Sequence, residues 1–220
     1  MSFRVEVWGE YACFSRPEMK VERVSYDVMT PSAARGLLEA IYWHPGMRWV
    51  IDRIRVVNPI RFTNIRRNEV TEKVNAGSAM SAANRNITPA PIIASDCIAQ
   101  RATMALRDVR YVIEAHFEMT GEANPTDNEG KFTDIMRRRL EKGQFYHQPC
   151  FGTREFIAYF KPCELIHECP DELRGERDLG WMLLDMDYSD KSNIKPMFFR
   201  AVLRDGVFDV PRIDSKAVMG

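Results

Sequence analysis

The sequence predicts an α+β fold, in which strands and helices alternate over most of the chain and a small β-rich segment follows. Alternating apolar and polar residues predict a half-buried strand over residues 109–119. Apolar residues three and four positions apart predict two amphipathic helices, one starting at Pro31 and one after Gly130. With 220 residues, 45% of them hydrophobic and 28% charged, the composition is that of a globular protein of one or two domains.

The first part of the chain predicts a strand, a helix and a second strand. The alternation from Phe3 to Trp8 predicts a strand that ends at Gly9. Thr30 suits the N-cap of the helix, with Pro31 at its first position, and His44-Pro45-Gly46 ends it. Residues 47–60 are rich in Trp, Val and Ile and predict a long strand. Residues 62–96 lack a clear period and predict a long loop with room for a short hairpin.

The second part predicts another helix and strand after the strand at 109–119. The helix buries Phe132, Ile135, Met136 and Leu140 on one face, and Gly143 suits its C-cap. Residues 151–160 predict a further strand. The resulting order β-α-β-β-α-β is that of a ferredoxin-like, RNA-recognition-type domain, which we predict over residues 1–162. Strand-like runs at 181–187, 197–203 and 207–210 predict a small β-rich C-terminal domain over residues 163–220.

The formal net charge is zero, from 31 basic and 31 acidic residues, but the charges are unevenly distributed. Residues 48–85 carry eight basic against three acidic side chains, and 23 of the 31 basic residues are Arg. Arginine is suited to bidentate contacts with phosphates, although runs of charge are also typical of a salt-bridged surface. The candidates for contact with a nucleic-acid backbone are Arg48, Arg53, Arg55, Arg61, Arg66, Arg67, Arg137, Arg138 and Arg139.

Several function classes lack their sequence motifs. No apolar run approaches the roughly 18–20 residues that span a bilayer, and the N-terminus does not resemble a signal peptide. Five scattered cysteines argue against a disulfide framework and for a reducing compartment, so we expect a cytoplasmic protein. The cluster of Cys163, His167 and Cys169 lacks zinc-finger spacing, and no phosphate-binding loop is present. We therefore predict no metal and no cofactor.

Three titratable residues stand out from these elements, although each has an ordinary structural interpretation. Tyr42, in the last turn of the first helix, suits the edge of the core. Lys131 opens the second helix, where a cation is unfavourable for the helix dipole, and is otherwise a solvated lysine. His116 falls on the polar face of its strand, where a cross-strand hydrogen bond is typical.

Four stretches of the chain together resemble one known family. They are Phe3-Arg4-Val5-Glu6-Val7-Trp8-Gly9-Glu10-Tyr11-Ala12-Cys13-Phe14; Ser25-Tyr26-Asp27-Val28 followed by Pro31-Ser32-Ala33-Ala34-Arg35-Gly36-Leu37-Leu38-Glu39-Ala40-Ile41-Tyr42-Trp43; Asn128-Glu129-Gly130-Lys131; and Phe151-Gly152-Thr153-Arg154-Glu155. The chain resembles the CRISPR-associated Cas-five proteins of subtype I-C, the d-type. The helix that ends in Ile41-Tyr42-Trp43 and the Gly152-x-Arg154-Glu155 element are the most specific of these motifs.

The resemblance implies a fold, an activity and a set of site residues. The family has a ferredoxin-like domain with a β-rich extension, binds the hairpin of a CRISPR repeat transcript and cuts it without metal. It then stays on the 5′ handle as a subunit of the interference complex. The family's catalytic Tyr and Lys correspond to Tyr42 and Lys131, whereas the position of its catalytic His, directly after that Lys, is Phe132.

The departure at Phe132 leaves several hypotheses open, because a phenyl ring cannot move a proton. His44, His147 and His116 are candidate substitutes as acid or base, and we favour the first two. The chain is then an endoribonuclease, of full or attenuated activity, or a weakly catalytic or non-catalytic subunit that binds RNA or DNA. A metal-dependent DNA nuclease ranks last, because no compact carboxylate cluster stands out. The expected partners are the repeat hairpin and other subunits of the complex, with double-stranded DNA as a further candidate.

Overall fold

The computed structural model describes residues 2–19, 21–88, 91–165, 167–190 and 192–220. Within these ranges the chain forms ten strands, all in one sheet, and three α-helices. The strands are β1 (Ser2–Ala12), β2 (Arg23–Val24), β3 (Met47–Val56), β4 (Phe62–Val70), β5 (Ile98–Met119), β6 (Tyr159–Pro162), β7 (Glu176–Asp187), β8 (Lys195–Arg204), β9 (Val207–Asp209) and β10 (Val218–Met219). The helices are α1 (Pro31–Ile41), α2 (Ala76–Asn84) and α3 (Glu129–Lys142). Strand neighbours are antiparallel apart from β2, which runs parallel to β5. The mixed helix-and-strand fold expected from the sequence is confirmed.

The sheet is organised by β5, which is 22 residues long. Its first part pairs with β4, and its second part lies between β1 and β3, while β6 adds to the outer side of β1. Because side chains alternate along a strand, one face of β5 is apolar and packs against α1 and α3. The other carries Arg110, Glu114, His116 and Glu118, and we call this surface of the sheet the polar face.

Local sequence accounts for the ends of α1 and α3. The Thr30 hydroxyl accepts a hydrogen bond from the Ala33 N–H at 3.2 Å, and Pro31 occupies the first turn of α1. Asn128 caps α3 by accepting from the Lys131 N–H at 2.9 Å. Gly143 ends α3 at a φ of +62°, a left-handed conformation that glycine adopts without strain. Both predicted helices are confirmed, with one correction: Tyr42 is the C-cap of α1 and not part of its last turn.

The prediction of a long loop over residues 62–96 is wrong. Residues 62–70 form β4, which pairs with residues 98–106 of β5. The helix α2 belongs to the connection between these two strands in the sequence. Side chains of β4 alternate between exposed and half-buried, and none is fully buried. The sequence of β4 therefore lacks an alternation of apolar and polar residues, because β4 is stabilised by pairing with β5 rather than by covering the core.

The prediction of a strand over residues 151–160 is also wrong in its extent, because β6 covers only Tyr159–Pro162. The preceding residues form a turn in which the Phe151 N–H donates to the Phe156 carbonyl at 2.8 Å, and both rings are buried. Gly152 has a φ of +82°, and a Cβ there would lie 2.0 Å from the Cys13 carbonyl oxygen. The apolar residues of this segment therefore fill the core from a turn.

The C-terminal strands extend the same sheet. β7 and β8 pair with each other, and β9 pairs with β3. The Arg35 guanidinium of α1 donates two hydrogen bonds of 2.7 Å to the Asp185 carboxylate, which joins α1 to β7. The three predicted C-terminal strands are confirmed, whereas the division into residues 1–162 and 163–220 stays a prediction. Among the described residues, no helix is long and apolar enough to cross a membrane.

Candidate functional site

The C-terminal end of α1 and the first turn of α3 lie side by side. The Phe132 ring of α3 contacts the Tyr42 ring, with centroids 6.1 Å apart, and the His44 ring at 5.0 Å. Phe132 is fully buried and also packs against Phe117 of β5. This aromatic cluster places Tyr42 and His44 close to Lys131, although Lys131 is far from both in the sequence.

Tyr42 is held beneath an arginine. The Arg139 guanidinium carbon lies 5.0 Å from the centroid of the Tyr42 ring, and Arg139 also donates to the Ile41 carbonyl oxygen. Burial raises the pKa of the Tyr42 hydroxyl, an effect that Arg139 opposes and the Asp127 carboxylate strengthens. Tyr42 therefore keeps its proton at neutral pH and can donate a hydrogen bond.

Lys131 is bound by a carboxylate that sequence analysis missed. The Asp127 side chain is only 1% exposed, and its Oδ1 lies 2.7 Å from the Lys131 Nζ. Its Oδ2 accepts from the Asn124 N–H at 2.9 Å and from the Asn124 amide at 3.1 Å. The Lys131 hydrogen bond, followed by that of the Asn124 backbone, lowers the pKa of Asp127 to about 2. The four-residue spacing of Asp127 and Lys131 is the sequence pattern that could have revealed the pair.

The same carboxylate faces His44. The Nε2 atom of His44 lies 3.7 Å from the Asp127 Oδ2, while its Nδ1 accepts a hydrogen bond from the Gly46 N–H at 3.0 Å. Because the lone pair of Nδ1 is used in this way, the proton of the neutral ring is on Nε2. A Cβ at Gly46 would lie 2.8 Å from the Ala123 Cα, so this close approach needs glycine. His44 thus presents an N–H donor to the site.

The other predicted histidines are placed differently. His147 lies beside the end of α1, because its backbone N–H donates to the Ala40 carbonyl at 3.0 Å, and its exposed ring packs on Tyr146. His116 is on the polar face, where its Nδ1 lies 2.9 Å from the Asp52 carboxylate. The sheet therefore separates His116 from Tyr42, whereas His44 and His147 share the same end of α1.

The predicted arginines fall into three groups rather than one surface. Arg48, Arg53 and Arg55 belong to β3; Arg61, Arg66 and Arg67 lie at or beside β4; and Arg137, Arg138 and Arg139 belong to α3. Several form ion pairs, such as Arg48 with Glu118 at 2.8 Å and Arg67 with Glu69 at 3.0 Å. An ion pair as exposed as that of Arg48 is weak, so a phosphate can replace Glu118 as its partner, whereas the Arg67 side chain is only 19% exposed. Arg139 differs from its two neighbours because it turns toward Tyr42.

The group of Cys163, His167 and Cys169, at which the sequence predicts no metal site, is arranged differently in the structure. Glu6 joins Cys163 and His167, and one ligand atom from each lies within 4.8 Å of the others. The Glu6 carboxylate also accepts from Arg110 at 2.6 Å and lies 3.4 Å from the Lys161 Nζ. Its charge is therefore balanced by cations of the protein.

Comparison with known proteins identifies the family. The family model described as "CRISPR-associated protein (Cas_Cas5)", of the Cas5d type, matches residues 3–211. This chain belongs to the Cas5d family of CRISPR-associated proteins. It is 48% identical over 213 residues to the "CRISPR pre-crRNA endoribonuclease Cas5d" of Mannheimia succiniciproducens, covering 94% of each chain.

A second relative agrees with this assignment, and a solved structure has a similar fold. The "CRISPR pre-crRNA endoribonuclease Cas5d" of Thermus thermophilus is 41% identical over 225 residues, which cover 94% of this chain and 90% of that one. A solved structure described as "Crystal Structure of CRISPR-associated Protein" has a TM-score of 0.70 at 22% identity, covering 100% of this chain and 97% of the other. That similarity concerns the fold alone.

Proposed function

We propose that this Cas5d-family protein is a metal-independent endoribonuclease that cleaves the repeat hairpin of precursor CRISPR RNA. Its relatives at 48% and 41% identity carry the name of that activity. The observation that carries the proposal is the joint position of Tyr42 and Lys131, at the facing ends of α1 and α3 beside the buried Asp127 carboxylate. Both residues are those that the family resemblance assigns to catalysis.

Cleavage of RNA without metal uses the neighbouring 2′-hydroxyl as nucleophile. The oxygen attacks the phosphorus, the 5′-oxygen leaves, and the product strand ends in a 2′,3′-cyclic phosphate. Lys131 supplies a positive charge for the phosphorane, which is more negative than the ground-state phosphate. The protonated Tyr42 hydroxyl and the His44 Nε2–H are donors for its oxygens or for the leaving group.

Phe132 cannot take the proton of the 2′-hydroxyl, and its burial removes it from contact with RNA. The Nδ1 of His44 accepts from Gly46, so His44 serves better as a donor than as a base. We propose that His147, exposed at the same end of α1, accepts the proton, and its backbone bond to Ala40 supports this assignment. Loss of a positioned base costs about 10²–10⁴-fold in rate, so we propose an attenuated enzyme.

The test is cleavage of a repeat hairpin in EDTA by the purified protein. We expect one cut in the repeat and a 5′ fragment that ends in a cyclic phosphate, identified by mass spectrometry. His147→Ala should slow the reaction, whereas the control His116→Ala, on the polar face, should not. A reaction that requires a divalent metal, or a product with a free 3′-hydroxyl, would contradict this mechanism.

The buried Phe132 also favours a second candidate function, that of a subunit that binds RNA or DNA with little cleavage. In that case the protein would bind the hairpin and leave it intact under single-turnover conditions with EDTA. We further propose that the protein stays on the 5′ handle of the product, within the type I-C interference complex in the cytoplasm. We also propose that the protein contacts other subunits of this complex and double-stranded DNA.

The central strands of the sheet and two helices are the elements of the proposed RNA-binding domain. We propose that β1, α1, β3, β5, α3 and β6 form a ferredoxin-like, RNA-recognition-type domain within residues 1–162. The spatial order β6-β1-β5-β3, antiparallel throughout, supports this assignment, as does the packing of α1 and α3 on one face. Residues 163–220 would form the β-rich C-terminal domain, joined to the first by the pairing of β9 with β3.

A further inference from the structure

Two aromatic rings are stacked on the polar face, at the edge of the sheet formed by β6. Trp8 of β1 lies directly across from Tyr159 of β6, and their ring centroids are 6.0 Å apart with an interplanar angle of 25°. Tyr159 is 56% exposed. The pair lies on the opposite side of the sheet from α1 and α3, and so away from Tyr42 and Lys131.

Two cations lie against the inner ring of this pair. The Arg110 guanidinium carbon and the Lys161 Nζ are each 5.6 Å from the centroid of the Trp8 ring. Tyr159 and the two cations therefore cover the Trp8 ring. The outer face of the Tyr159 ring is the part of the pair that stays open among the described residues. A planar group can stack there without displacing another side chain.

A buried carboxylate holds the cations in place. Glu6, whose side chain is 2% exposed, lies 2.6 Å from Arg110 and 3.4 Å from Lys161. Burial opposes ionisation of Glu6, but the hydrogen bond from His167 and the charges of Lys161 and Arg110 outweigh it and lower its pKa. One negative charge thus anchors two permanent positive charges, and both cationic side chains remain partly exposed. The surplus charge lies at the Trp8 ring, and Lys161 is two residues from Tyr159 on the same face of β6.

We propose that Trp8, Tyr159, Arg110 and Lys161 form a binding site for one nucleotide of an unpaired RNA strand, with its base on Tyr159 and its phosphate at Lys161 and Arg110. An open aromatic ring beside surplus fixed charge matches the two parts of a nucleotide. Unpaired RNA fits better than duplex, because bases in a duplex are already stacked on each other. This site rests on the proposed function, since its ligand is the single strand that flanks the hairpin.

The test compares two tyrosines of equal exposure. Tyr159→Ala removes the open ring, whereas Tyr188→Ala, at 57% exposure and beyond the end of β7, is the matched control. The probe is a short fluorescein-labelled oligouridylate, and its Kd for the full-length protein is measured by fluorescence anisotropy. We expect Tyr159→Ala to raise the Kd roughly five- to 150-fold, and Tyr159→Phe and Tyr188→Ala to stay within about two-fold of the parent.

A second arm tests the phosphate contact. Lys161→Gln should reduce the slope of log affinity against log salt by about 0.7, the value for one phosphate of a single strand. Equal affinities of Tyr159→Ala and Tyr188→Ala, with both variants folded by circular dichroism, would overturn the site. If the parent protein fails to cleave the hairpin but the oligouridylate still distinguishes the two variants, the proposed nuclease fails and this site stands. If the parent cleaves and the variants bind alike, the site alone fails.

Discussion

Replacing Lys131 by alanine separates catalysis from binding. The phosphorane carries about one more negative charge than the phosphate, and one lysine charge about 4 Å away contributes about 4 kcal/mol at an effective dielectric constant of about 20. The Asp127 carboxylate, 2.7 Å from the Lys131 Nζ, offsets part of this attraction. We therefore expect Lys131→Ala to lower the single-turnover cleavage rate by about 10²–10³-fold, the usual cost of removing one such charge-stabilising group.

The same substitution should leave folding nearly unchanged. Lys131 is exposed, at 46% of its side chain, and loses one ion pair with Asp127. Removing a cation from the first turn of α3 also relieves an unfavourable interaction with the helix dipole. The two effects are small and opposite, so the melting temperature should stay within about 3 °C of the parent.

The assay is single-turnover cleavage of a radiolabelled repeat hairpin in EDTA, with the Kd measured on a hairpin whose attacking 2′-hydroxyl is replaced by hydrogen. Lys142→Ala, in the last turn of the same helix, is the control for loss of one exposed lysine. The expected result is a large loss of rate with a Kd within a few-fold of the parent. A variant that cuts as fast as the parent, or that loses binding as much as rate, would refute the reasoning about Lys131.

The neighbours of Lys131 and the candidate arginines give four further predictions. Asp127→Asn should lower the cleavage rate with little loss of RNA affinity, because Lys131 loses the carboxylate that positions it. Asp127→Glu should restore part of the cleavage rate. Equal cleavage rates for Asp127→Asn and Asp127→Glu would contradict this role of Asp127. Since the folded pKa of Asp127 is lowered from 3.8 to about 2, its contribution to stability is complete above about pH 5 and is lost as the pH falls toward 2, so acid titrations of the parent and Asp127→Asn should converge there. Phe132→His puts an imidazole into a fully buried site out of contact with RNA, so we expect a loss of about 1–3 kcal/mol in unfolding free energy by thermal melting and little change in single-turnover rate; a roughly ten-fold gain in rate would mean that a missing imidazole at this position limits cleavage. If about six of the candidate arginines contact phosphates, hairpin affinity should fall about 10³-fold between about 50 and 200 mM salt by filter binding, and an affinity that hardly changes would exclude this interface.

Several features of the site depended on tertiary packing. Asp127 lies in a turn-rich segment without periodicity, and although its four-residue spacing from Lys131 is a local pattern, only the approach of α3 to the end of α1 shows that its carboxylate also faces His44. His44 and His116 are equally good candidates by residue type, yet the sheet separates them because one follows a helix and the other points from the polar face. Sequence spacing carries no information on which face of a distant element a loop residue will meet.

The sequence by itself determined the elements whose patterns are local. Thr30 and Pro31 start α1, Gly143 ends α3, and the alternation of β5 separates its apolar from its polar face, because capping and periodicity involve near neighbours only. Tertiary structure decided the rest. β4 is a strand because β5 offers it a ladder of hydrogen bonds, and Phe132, whose burial the helical period predicts, contacts Tyr42, His44 and Phe117 because α3 packs against the end of α1 and against β5. These contacts join residues far apart in the chain, and the free energy that fixes them comes from burial and pairing that no local pattern contains.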